Sequence, residues 1–84
     1  MTHDEIWAFI DAAASRYRLS PSALARLCGF DNTAFNKCKR HYKFGQERWP
    51  STKVFSRILE VLNISIVEMA EMMQEIQNKK NNNQ

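Results

Sequence analysis

Apolar residues return every three or four positions through most of this chain, and polar breaks divide the pattern into five stretches. Ile6, Phe9, Ile10, Ala13 and Tyr17 fall at i, i+3, i+4, i+7 and i+11, one face of a first helix. Thr2-His3-Asp4-Glu5 ahead of them has capping-box spacing. Ser20-Pro21 opens a second helix, a capping hydroxyl followed by proline where its missing N–H costs nothing. That helix runs from Pro21 to Cys28, and Gly29 ends it by taking the left-handed conformation. Asp31 offers a cap for a third helix, from about Asn32 to Lys39. Leu19 can staple onto Leu24, and Phe30 onto Phe35, across these two starts. Arg40 to Pro50 has no period and reads as a loop. Ser51 caps a fourth helix whose Val54, Phe55, Ile58, Leu59 and Leu62 point inward, and Asn63 ends it. Ser65-Ile66-Val67-Glu68 is a second capping box and opens a fifth helix to about Gln77.

Five helices with only two glycines and two prolines in 84 residues make an all-α chain of one domain. The domain spans residues 1–77, and residues 78–84 read as a polar tail or linker. No apolar run approaches the roughly 18 residues that span a bilayer, and the N-terminus lacks a basic region and a cleavage site, so a soluble, cytoplasmic protein is expected. Two cysteines make no disulfide framework, which fits a reducing compartment.

Charge changes the picture. Between Lys37 and Arg57 stand seven basic residues (Lys37, Lys39, Arg40, Lys43, Arg48, Lys53, Arg57) against one acid, Glu47. Between Ile58 and Ile76 stand four acids and no base. The first block suits a polyanion, and the acidic helix must face elsewhere.

Two short helices joined by a glycine turn and packed on a third form a helix-turn-helix, over about residues 20–39. Leu24, Cys28, Phe30, Phe35 and Cys38 are the residues such a unit buries, and small Ala25 permits close approach. Asn32, Thr33, Asn36, Lys37 and Arg40 remain on the outer face of the third helix, with the amide, hydroxyl and guanidinium groups that read base edges in a major groove. Ser20, Ser22, Ser51, Thr52 and Lys53 lie at helix starts, where free N–H groups favour a phosphate. Lys39, Lys43 and Arg48 add phosphate-binding charge.

Leu19 to Leu62 resembles the lambda-repressor-like (Xre/Cro/CI type) DNA-binding family. SPSALARLCGFDNTAFNKCKR followed by RWPS is similar to the N-terminal domain of phage-type repressors that carry a C-terminal LexA-like peptidase domain; no such domain is present in these 84 residues. The resemblance implies a five-helix domain and a transcriptional repressor that binds operator DNA as a homodimer.

Met72, Met73 and Ile76 continue an apolar stripe to the outer part of the fifth helix, beyond a core that takes Met69, Ile66 and Val67, and a partner subunit would cover them. Trp49 reads as core or as a lid over the loop. Cys28, Cys38 and His41 lack a fourth ligand nearby, with His3 distant in sequence, so no metal is expected. No glycine-rich phosphate loop, carboxylate pair or activated nucleophile suggests an enzyme, a cofactor or a small-molecule substrate. The alternative is a protein-interaction module of the same fold with an antirepressor- or antitoxin-type partner.

Overall fold

Thr2 caps the first helix as its spacing predicts. Its hydroxyl accepts the amide of Glu5 at 3.2 Å, and the Glu5 carboxylate takes the Thr2 amide at 2.8 Å. The structure is a computed structural model that describes residues 1–82, with side chains through Lys79. It is all-helical: α1 (His3–Arg16), α2 (Pro21–Leu27), α3 (Thr52–Val61) and α4 (Ile66–Asn82), with one short 3-10 turn at Lys37–Lys39 and, among the described residues, no strand.

Three helices end in the same way. Arg18, Gly29 and Asn63 follow α1, α2 and α3 with φ of 57°, 83° and 54°. In each case the next amide reaches back five residues: Leu19 to the Ala14 carbonyl, Phe30 to Ala25, Ile64 to Leu59, at 2.8–2.9 Å. This Schellman geometry satisfies the last carbonyls and returns Leu19, Phe30 and Ile64 to the core. Gly29 and Asn63 tolerate the left-handed conformation; Arg18 bears its strain.

Helix α1 packs against both α2 and α4. Phe9, Ile10 and Ala13 from α1 meet Leu24 and Ala25 from α2, Ile58 from α3 and Met73 from α4. Ala13 and Ala25 are fully buried, and their size lets the helices approach closely. Phe35 joins this core from the segment between α2 and α3, with its ring edge-on to Trp7 and Phe30.

That segment corrects the sequence reading. Residues 32–39 form no α-helix. The Asp31 carboxylate accepts both the amide and the hydroxyl of Thr33, a local turn that competes with a helix start. Ala34 and Asn36 then bond back three residues, Asn36 is extended (ψ 150°), and the 3-10 turn follows. An α-helix would give the Phe35 carbonyl to the Lys39 amide; here Arg40 Nη2 takes it at 3.0 Å. Cys38, expected inside, is therefore exposed, while Cys28 is buried.

The other end differs too. Helix α4 continues past Gln77 to Asn82, so the polar stretch 78–82 prolongs it; Asn83 and Gln84 lie outside the described residues. Ile66 and Val67, expected in the core, are 73% and 67% exposed, while Ile64, just before α4, is buried. Among the described residues no helix is long and apolar enough to cross a membrane.

Candidate nucleic-acid interface

Residues 40–48 double back on themselves. Tyr42 and Gln46 share a hydrogen bond of 2.8 Å, Gly45 returns to the Tyr42 carbonyl at 2.9 Å, and Arg48 to the Arg40 carbonyl at 2.9 Å. His41 and Glu47 form an isolated antiparallel bridge. Gly45, at φ 87°, supplies the left-handed residue this tight turn needs.

The root of the loop is fastened to α1. Trp7 Nε1 donates to the Arg48 carbonyl at 3.0 Å. His3 Nε2 lies 2.8 Å from the Arg40 carbonyl and 3.2 Å from that of Arg48, while its Nδ1 faces the Asp4 carboxylate at 3.3 Å. Burial pushes the His3 pKa down, but the Arg40 carbonyl, Asp4, the charge of Glu47 and the Arg48 carbonyl push it up and prevail, leaving it above 6.5. The rings of His41 and Trp49 close over it at 4.9 and 5.8 Å.

Arg40, expected on the outer face as a base reader, is instead a buried anchor. Its guanidinium forks onto Asp11, donates to the Phe35 carbonyl and lies 4.8 Å from the centre of the Trp7 ring. A planar cation with a matching carboxylate and an aromatic face is stable inside, where a lone lysine would not be. While these contacts hold, it is withdrawn from any base edge.

The remaining basic side chains of the block (Lys37, Lys39, Lys43, Arg48, Lys53 and Arg57) are exposed. Three large rings stand among them, with Tyr42, Phe44 and Trp49 exposed by 57%, 82% and 50%. Arg48 lies over the Tyr42 ring at 5.7 Å and Lys43 over Phe44 at 5.8 Å. A cleft of about 270 Å³ joins this loop to the 31–39 segment and to α3; Phe35, Tyr42, Arg48, Trp49, Ser51 and Val54 line it. Lys53 and Arg57 border the neighbouring groove beside Phe30, where Arg57 Nε donates to the Cys28 carbonyl at 3.2 Å.

Of the other expected base readers, Asn32 is exposed, and Thr33 and Asn36 are half-buried. The Thr33 hydroxyl is engaged by Asp31, whose carboxyl its hydroxyl and amide hold below the usual range. Lys37 lines a separate hollow with Asp4 and Asp11, whose charges weaken its pull on a phosphate. Ser20 and Ser51 cap α2 and α3, accepting the amides of Ala23 and Val54. Ser51, Thr52 and Lys53 at the start of α3 are exposed beside the loop; Ser22 is half-buried.

The expected dimer stripe is largely internal. Met73 is buried in the core of its own chain, Met72 and Ile76 pack against that core, and Met72 also receives Arg16 Nη1 at 3.6 Å. Periodicity defined the face but not what it faces. Among the described residues no group of three or more His, Cys, Asp or Glu is arranged to hold a metal ion. Sequence reasoning missed Tyr42 and Phe44; their one signal was aromatic residues standing beside basic ones in HYKFGQERW. It also missed His3 and Trp7 as the loop's fastening, which only the tertiary structure brings together.

Comparison with protein-family models, curated proteins and solved structures gives no match to this chain.

Proposed function

We propose that this chain binds duplex DNA and regulates transcription, with the 41–48 loop and the start of α3 on the phosphate backbone. The carrying observation is the cleft that joins basic and aromatic side chains of the loop to the exposed start of α3. The acids Glu68, Glu71 and Glu75 line a separate hollow with Arg16. A polyanion is drawn to the first surface and repelled by the second, so its approach is oriented. Phosphate contacts would set the register, and Asn32 and Asn36, on the turn preceding Lys37, would offer carboxamides to base edges.

This reading keeps the resemblance to lambda-repressor-like repressors, and with it an operator-binding homodimer in the cytoplasm. It changes how the groove is met. Residues 31–39 would enter as two tight turns rather than as a helix, and Arg40 would act behind them as a support. The dimer contact, with Met73 removed from it, would fall to the exposed Ile66 and Val67 and the flanks of Met72 and Ile76.

One observation favours a protein partner instead: the segment that should lie in the groove has no helical ridge. A gel shift separates the two readings. The DNA upstream of the protein's own gene and a scrambled duplex are titrated at low and at physiological salt. Tighter binding to the upstream DNA, with both affinities falling as salt rises, supports a DNA regulator. No shift at low salt contradicts it.

A further inference from the structure

Phe44 is the most exposed of the exposed large hydrophobic side chains in the chain, at 82%. It rides on the tip of a turn that is not free to collapse over it. Gly45 closes the turn on Tyr42, Tyr42 and Arg48 tie its two arms together, and His3 and Trp7 fasten both arms to α1. The ring is thus held out by a fixed stalk. Cations stand on the same stalk, with Lys43 beside Phe44 and Arg48 beside Tyr42.

An aromatic ring flanked by cations suits a nucleobase between two phosphates. We infer that Phe44 is a wedge that stacks on a nucleobase of the bound duplex, entering at a base step and partly unstacking it. The inference rests on the duplex-binding reading above and gives the loop a second task besides phosphate contact. Apolar wedges of this kind kink the duplex and act at steps that open readily. A membrane surface would also accept a lone phenylalanine beside a lysine. It is disfavoured here because the stalk carries Glu47 and the ring next to Phe44 on its arm, Tyr42, faces the cleft rather than the tip.

The test compares two duplexes two helical turns long, identical except for one central abasic site, where the cost of unstacking has already been met. Affinity is read by fluorescence anisotropy at fixed salt for the wild type, Phe44→Ala and Phe44→Trp. The wild type should prefer the abasic duplex. Phe44→Ala should lose that preference and bind the abasic duplex about 5- to 150-fold more weakly, the value of one aromatic–base stack. Phe44→Trp should retain the preference. Circular dichroism should be unchanged in both variants, since the side chain lies outside the core. Equal binding of both duplexes by the wild type, unaltered in Phe44→Ala, overturns the wedge and leaves duplex binding intact. No binding to either duplex overturns the duplex reading and the wedge with it. If Phe44→Ala keeps the duplex preference but loses adsorption to phosphatidylserine vesicles, the ring serves a lipid surface and the inference is wrong.

Discussion

The guanidinium of Arg40 meets the carboxylate of Asp11 in two parallel hydrogen bonds, Nη1 to Oδ2 at 2.8 Å and Nη2 to Oδ1 at 2.7 Å. Arg40 is buried, while the Asp11 side chain remains 40% exposed, which keeps the pair below the cost of a fully buried one. Arg40→Ala should lower the unfolding free energy by about 1.5–3 kcal/mol, the range of a hydrogen bond to a charged group. Arg40→Lys should recover little of it, because an ammonium cannot fork onto the carboxylate. Urea titration checks this. Unchanged stability with abolished DNA binding would return Arg40 to the role of a base reader.

His3 makes the loop's fastening sensitive to pH. Its folded pKa lies above its ordinary 6.5, so its contribution to stability is fully present below pH 6.5. That contribution is lost as pH rises through the raised folded value. Neutral His3 can still donate from Nε2, but its Nδ1 then turns a lone pair toward the Asp4 carboxylate. The urea midpoint of the wild type should therefore fall over this window, and that of His3→Gln should fall less. Parallel curves for the two proteins would show that His3 does not carry the effect.

Met73 distinguishes core from interface. As a buried residue, Met73→Ala should destabilise the fold by about 2–5 kcal/mol. Val67→Glu, at an exposed position, should leave thermal unfolding nearly unchanged and shift sedimentation toward monomer if α4 carries the dimer contact. A stable Met73→Ala protein would place Met73 back at an interface.

What was legible in the sequence follows from how local each cause is. Capping boxes and hydrophobic periods act within a few residues, so α1, α2 and α3 could be read directly. Gly29 and Asn63 announce left-handed ends by residue type, whereas Arg18 does not. Asp31 offers the same signature for a helix cap and for the turn it makes with Thr33, and the Phe35 carbonyl decides between them by going to Arg40. That choice depends on Asp11, distant along the chain, and no window around residue 40 contains it. The basic character of the candidate site was plain from composition. The projecting Phe44 was not, because a loop has no period from which to infer a side chain's direction.

Asn36 tests base reading. Its carboxamide makes no cap hydrogen bond to the 3-10 turn that follows it. Asn36→Ala should weaken binding to the operator about 5- to 150-fold, equivalent to one bidentate adenine contact of roughly 1–3 kcal/mol. Binding to scrambled DNA should hardly move, since no charge is lost. Competition titration at one salt measures both, and an equal loss on the two duplexes would exclude Asn36 as a reader.

The central claim, that the 41–48 loop and the start of α3 hold the DNA backbone, is tested most directly by the salt dependence of duplex affinity in Lys43→Ala and Lys53→Ala. Both lysines are exposed and, among the described residues, make no ion pair at or below 4.0 Å, so removing either should leave the fold intact. Each variant should bind every duplex more weakly, and its log–log salt slope should be shallower by about 1 than that of the wild type. Slopes identical to the wild type in both variants would contradict the account and take the DNA off this surface.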